Sequence, residues 1–189
     1  MDLKKYFLES ANLKQKFILE NENKLKEIIE SIITTFKNWN KLLIAWNWWS
    51  AADAQHFAAE FIWRYKLDKK SLPAIALTTD SSIMSSIWND YWNDYVFSKQ
   101  VEWLWKTKDI FIGISTSWNS ENIIKAVEIA KQNWLITIWL TGKNWGKMND
   151  ILDYNLIVES DNTPRIQECH TTIYHTICEE VENKLFLNE

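Results

Sequence analysis

Glycine is nearly missing from this 189-residue chain, which holds 3, where an average protein has about 7%, or roughly 13 in this length. Turns that need positive φ, or a backbone pressed close to a ligand, therefore have little glycine to draw on. Cysteine is equally scarce. Cys169 and Cys178 sit in one helical segment at a spacing that makes neither a metal knuckle nor a redox pair, so they read as reduced structural thiols. No apolar run approaches the roughly 18 residues of a membrane span. The start, "MDLKKYFLESANLKQKF", is polar and amphipathic, without the apolar centre of a signal peptide. Basic charge is not in excess: 21 Lys and Arg against 25 Asp and Glu give a net charge of −4, which argues against a nucleic-acid surface. These absences leave an acidic cytoplasmic protein, with no membrane or nucleic-acid partner, as the expectation. A hydrophobic content of 47% with 24% charge is that of a globular domain, and the length suits one domain with a real core.

Tryptophan is in excess, at 13 residues. Glycine and tryptophan together come to about 8% of the chain, close to a normal glycine share. The tryptophans also keep the company glycine keeps: Asn47-Trp48-Trp49, Trp88-Asn89-Asp90, Trp92-Asn93-Asp94, Ser117-Trp118-Asn119 and Asn144-Trp145-Gly146 are turn contexts. Residues 1–38 and 146–189, which read as largely helical, contain none. An aromatic core would instead place rings on periodic faces.

Residues 3–37 repeat apolar positions at helical spacing, through Leu3, Phe7, Leu13 and Phe17 to Leu25, Ile28, Ile29, Ile32, Ile33 and Phe36, and predict two helices or one broken helix. Short buried strands are expected at 41–45, 73–78, 109–115, 135–141 and 154–160, with helices near 50–65, within 80–105, at 119–132 and at 163–187. Pro73 suits the first position of a strand and Pro164 the first turn of a helix. The alternation implies βαβ units: a mostly parallel sheet of five strands with helices on both faces. No repeat, linker or low-complexity tract divides the chain, so residues 1–189 read as one domain, with N-terminal helices over about 1–38 and an α/β core over about 39–189.

Ligands of such sheets bind beyond the carboxyl ends of the strands, where "NWWS" and "STSWNS" fall. Ser115, Thr116, Ser117 and Ser120 place hydroxyls in a strand-to-helix turn, and a helix start adds free N–H groups and a favourable dipole. On its own this reads first as a plain Ser/Thr-rich N-cap; Ser50, opening a second helix after another strand, strengthens the anion-site reading. His56 and Glu60 share a helix face at i, i+4. Gln167 and His175 face roughly one side of the last helix, two turns apart. All three histidines, His56, His170 and His175, lie in these two segments. On spacing alone a zinc site and a solvated helix surface are both open.

The strings "NWWSAADAQHFAAEF", "WND", "ISTSWNSENIIKA", "LTGKNWGKM" and "TPRIQECHTTIYH" together resemble the phosphoheptose isomerase family, sedoheptulose 7-phosphate isomerases of the sugar-isomerase (SIS) fold, over roughly residues 5–183. The resemblance implies a three-layer αβα sandwich with an N-terminal helical extension. It also implies conversion of sedoheptulose 7-phosphate to D-glycero-D-manno-heptose 7-phosphate, for activated heptose in cell-surface polysaccharide. It assigns zinc, one ion per subunit, to His56, Glu60, Gln167 and His175, with Glu60 and His175 also catalytic. The phosphate falls to Ser115, Thr116, Ser117 and Ser120 with Ser50 nearby; the sugar to Asn47, Asn89, Asp90 and Gln167; and Trp48 and Trp49 stand in the substrate turn itself. His170 matches no ligand and reads as a helix-surface residue. Family members are homotetramers, and the apolar N-terminal helices are interface material. Two alternatives stand beside this reading: a non-catalytic SIS regulator of the kind that binds a replication initiator, or an isomerase of another phosphosugar. A pure binding module has no need of all four metal-type residues.

The departure from the family is the tryptophans. Where this chain has "NWWS" and "TSWNS", the family's strings read "NGGS" and "TSGNS", and all 13 tryptophans fall where glycine is carried or tolerated. Indoles at Trp48, Trp49 and Trp118 are expected to fill space the ligand needs. Positive φ at a bulky residue costs on the order of 1–3 kcal/mol, so 13 such positions would exceed the roughly 5–15 kcal/mol of a typical domain. One rule produces the whole pattern: UGA codons that the source reads as glycine, written here as tryptophan.

Overall fold

The structure, a computed structural model, describes residues 1–117, 120–143 and 152–187. Helix α1 runs unbroken from Lys4 to Lys37, a single helix rather than the two, or the broken one, that the pattern predicts. No Pro or Gly falls within it to remove a backbone bond, so the ladder carries through its polar middle. Phe17, Leu25, Ile28, Ile29, Ile32, Ile33 and Phe36 are buried, while Leu3, Phe7, Leu8 and Leu19 are exposed.

Strand β1 (Leu42–Trp46) passes through a 3-10 turn at Trp48–Ser50 into α2 (Ala51–Ile62). Then come β2 (Ala74–Ala76), α3 (Ser81–Tyr91), a 3-10 turn at Asn93–Tyr95, α4 (Ser98–Leu104) and β3 (Ile110–Ser115). Helix α5 (Glu121–Gln132), β4 (Ile136–Gly142), β5 (Tyr154–Val158) and α6 (Thr163–Phe186) complete the described chain. The strand order is β2-β1-β3-β4-β5 and every pairing is parallel.

Side chains of each strand alternate between two apolar cores, as the pleat requires. Leu42, Ile44, Ile110, Ile112, Ile114, Ile138, Leu140, Leu156 and Val158 pack with α1, α2 and α6. Leu43, Ala45, Phe111 and Trp139 face the other way, onto α4 and α5. These are the three layers expected, with α1 as the helical extension on one face. Gly142 is needed for contact rather than for φ: a Cβ there would lie 2.5 Å from Ile166 Cδ1, so glycine lets the first turn of α6 close on the end of β4.

The described glycines hold no positive φ, whereas Trp39, Trp48, Trp92 and Trp134 do, at 58°, 57°, 66° and 61°. Trp134 follows the cap of α5; its N–H donates to the Lys131 carbonyl (3.1 Å) and the Leu135 N–H to Ala130 (3.0 Å). Trp39 repeats the pattern after α1, with Trp39 on Phe36 and Asn40 on Thr35, both 3.0 Å. This paired closure puts its left-handed residue one past the cap, a position that is usually glycine. Trp92 has φ 66° and ψ 169°, a region essentially reserved for glycine. The strain is narrower than all 13 positions, because the other described tryptophans have ordinary φ. Most still fail to bury: Trp48, Trp49 and Trp103 are 81%, 82% and 88% exposed. Of the described tryptophans, Trp46 and Trp139 are buried. Trp118 and Trp145, with the rest of "NWGKM", lie outside the described residues.

Candidate active site

The sheet order reverses direction between β1 and β3, so the chain leaves these neighbours toward opposite faces: α2 packs in one core and α5 in the other. A crevice opens between two such departures, past the carboxyl ends of the strands. Across it Asn47 and Asn122 exchange amide hydrogen bonds of 2.9 and 2.8 Å, which tie the turn after β1 to the first turn of α5. The cavity there, about 210 Å³, is lined by Asn47, Trp48, Trp49, Ser115, Thr116, Ser117, Ser120 and Gln167, among others.

Its hydroxyls satisfy one another. Ser115, buried at the end of β3, donates to the Ser117 carbonyl (2.5 Å), accepts from the Ser117 N–H (3.2 Å) and pairs with the Ser120 hydroxyl (2.8 Å). Ser120 is the N-cap residue of α5, and its side chain makes no capping bond, so it is free to face the cavity. Gln167, from the first turns of α6, donates to the Ser50 hydroxyl at 3.1 Å. Trp48 and Trp49 contribute to the lining while their rings stay largely in solvent. Asn89 and Asp90 are not gathered here: they lie exposed on α3, where the Asn89 amide donates to Asp90 at 2.8 Å.

A second cluster forms where α2 meets α6. His56, Glu60 and His175 bring ligand atoms within 4.8 Å of one another, and His56 Nε2 lies 2.8 Å from Glu60 Oε1. Two imidazoles and a carboxylate are the donor set of an open catalytic zinc site, so the residues fit the ion that the family resemblance implies. Burial lowers the pKa of His175, and the neighbouring His56 lowers it further, against the pull of Glu60 and Asp53. Near neutral pH His175 is therefore an uncharged imidazole that can bind a cation or take a proton. Tyr174 is wholly buried against Phe57; burial pushes its hydroxyl up to about 12. That hydroxyl lies 3.2 Å from His56 Nδ1 and 3.5 Å from Asp53 Oδ1. Gln167 and His175 are both on α6, two turns apart and about 12 Å along its axis, so one helix serves both the cavity and the cluster.

His170 corrects the sequence reading. It is fully buried rather than on the helix surface, with Nε2 3.1 Å from the Thr141 carbonyl, and burial drives its pKa down to about 4. Periodicity cannot show this, because α6 is covered by α1 and the sheet together. Tyr174 carries no spacing signal either; its partners are on another helix. Cys169 and Cys178 are free and buried, as expected, and burial raises both thiols, Cys169 to about 11, which leaves them protonated and inert.

The SIS domain family matches residues 5–142. A phosphoheptose isomerase from Aliarcobacter butzleri is 48% identical over 96% of this chain and 96% of its own length. One from Aneurinibacillus thermoaerophilus is 44% identical over 99% and 96%. The chain belongs to the phosphoheptose isomerase family. Solved phosphoheptose isomerase structures from Neisseria gonorrhoeae and Francisella tularensis superpose with TM-scores of 0.89 and 0.91 at 39% and 32% identity. They cover 96% of this chain each, and 97% and 96% of their own. As a member of this family the chain is an isomerase acting on phosphorylated heptose. No described helix is long and apolar enough to cross a membrane.

Proposed function

We propose that the enzyme interconverts sedoheptulose 7-phosphate and D-glycero-D-manno-heptose 7-phosphate through an enediol, with zinc held by His56, Glu60, Gln167 and His175. The observation that carries this is the approach of His56, Glu60 and His175 to within 4.8 Å, with His175 on the helix that also feeds Gln167 into the cavity. Moving a carbonyl between adjacent carbons requires a proton to leave one carbon and reach the next while the hydroxyl proton crosses between oxygens. The Glu60 carboxylate acts as base on the α-carbon proton, and the uncharged His175 imidazole carries the hydroxyl proton. Zinc, when bound, polarises the carbonyl and stabilises the enediolate charge. The phosphate sits among Ser115, Thr116, Ser117 and Ser120, exchanging their mutual hydrogen bonds for charge-assisted ones. Asn47, which lines the cavity, serves the sugar hydroxyls. The test is turnover of sedoheptulose 7-phosphate by the purified protein with zinc and after chelation. Absence of turnover with zinc supplied rejects the reaction, and full turnover without metal rejects the zinc.

The tryptophans belong to the same proposal: they are glycines in the native enzyme, encoded by UGA. Trp39, Trp48, Trp92 and Trp134 hold backbone torsions that suit glycine and strain an indole. With glycine at 48 and 49 the turn after β1 offers bare backbone to the substrate. A UGG codon at any of these four positions in the coding DNA would sink the idea; peptide mass spectrometry of the native protein checks it independently. The exposed face of α1, with Phe7 and Leu19 each 78% exposed, supports assembly as a homotetramer, which light scattering tests directly.

A further inference from the structure

We infer that Tyr174 is a positioning residue: with Asp53 it fixes His56 in the tautomer that turns a bare Nε2 toward Glu60 and the metal. The inference rests on the metal-assisted reading above. The Tyr174 hydroxyl directs its one proton to the Asp53 carboxylate oxygen Oδ1, at 3.5 Å. The same hydroxyl lies 3.2 Å from His56 Nδ1. Its proton being committed, it accepts there, and the ring proton resides on Nδ1. His56 Nε2 then presents a lone pair to the Glu60 oxygen 2.8 Å away. Two acceptors at that separation repel unless a cation stands with them. The relay therefore builds a cation site, whereas the opposite tautomer would spend the Nε2 proton on a charge-assisted hydrogen bond to the Glu60 carboxylate.

The surroundings hold the relay in place. Tyr174 is fully buried and stacked on Phe57, ring centres 5.1 Å apart, so its hydroxyl has little freedom to turn away. Its ring also meets His175 edge-on at 4.6 Å, so one aromatic side chain orients both imidazoles of the cluster. The contact joins α2 and α6, which supply the whole metal-ligand set. Partners behind a metal-bound histidine commonly set its affinity for the ion by about tenfold to a hundredfold.

Zinc affinity measured by competition with a chromophoric chelator tests this, together with the visible spectrum of the cobalt-substituted protein and the thermal midpoint of the metal-free form. Tyr174→Phe is expected to bind zinc about tenfold to a hundredfold more weakly and to alter the cobalt spectrum, with the metal-free midpoint close to wild type. Asp53→Asn, which leaves the aromatic packing intact, is expected to weaken zinc in the same direction. Wild-type zinc affinity and an unchanged cobalt spectrum in both variants would overturn the role of Tyr174 while leaving the metal site standing. Failure of the unmodified protein to bind zinc or cobalt at all would overturn the metal reading, and the relay with it.

Discussion

The two halves of the site are made of different material. The His56–Glu60–His175 cluster is side-chain chemistry carried on two helices, and its residues keep ordinary helical backbone. The crevice between β1 and β3 is turn chemistry, in which hydroxyls and backbone N–H groups converge and φ decides what can approach. Tryptophan is absent from the first and crowds the second. A bulky residue on a helix face costs little; the same residue at a left-handed turn position strains the chain and covers the backbone the ligand needs. On the proposed reading, one substitution rule applied along the whole chain leaves the His56–Glu60–His175 cluster whole and falls on the turn after β1.

Four measurements break or sharpen that contrast. The largest effect falls in the cluster: Glu60→Gln is expected to lower kcat by roughly 10²–10⁴-fold, the usual worth of a positioned base, with unchanged circular dichroism. Retention of full activity would remove Glu60 from the mechanism. His170 joins the regions, since it ties α6 to the end of β4 through Thr141. Its folded pKa, about 4, lies below the ordinary 6.5. Above pH 6.5 both folded and unfolded forms are neutral and it contributes nothing to the pH dependence. As pH falls from 6.5 toward 4 the unfolded chain takes up the proton first, so stability is lost, by about 3 kcal/mol in all. Denaturant titrations across that window should show the loss, and His170→Gln should flatten it; an equal slope in both proteins would contradict the burial argument.

In the crevice, Ser115→Ala with Ser120→Ala is expected to raise KM by roughly tenfold to a hundredfold, through lost hydrogen bonds to a charged group. Zinc affinity should stay unchanged, and a fall in it would mean the two regions are not separable. The smallest effect separates backbone strain from mere exposure. Trp134→Gly, at φ 61°, should stabilise the fold by about 1–2 kcal/mol once the flexibility of glycine is offset. Trp103→Gly, in the ordinary helix α4, should destabilise it by about 1 kcal/mol. Thermal melts showing the same sign for both would undo the argument from φ.

Much of this was legible in the residues. The alternation of short apolar runs with helical periods specified the order of strands and helices, because each period reflects a local geometry that neighbours in sequence share. Ser115 and Ser120, and His56 and Glu60, lie within a turn of each other, so their pairing needed no tertiary knowledge. The unbroken α1 did not follow as directly, since its polar middle imitates a boundary although no Pro or Gly ends the helix. His170 misled for a different reason: a histidine on an amphipathic helix shows its face only once it is known what covers that face.

By itself, then, the sequence determined the chemical groups, their local spacing and the glycine-like company of the tryptophans, all of which are properties of short stretches of chain. Only the tertiary structure decided that Asn47 meets Asn122 across the sheet, that Tyr174 reaches His56 and Asp53, and which tryptophans sit at positive φ. The Asn47–Asn122 and Tyr174–His56 contacts span 75 and 118 residues of chain. Contacts at such separations exist only after the sheet has closed, and no local pattern encodes them.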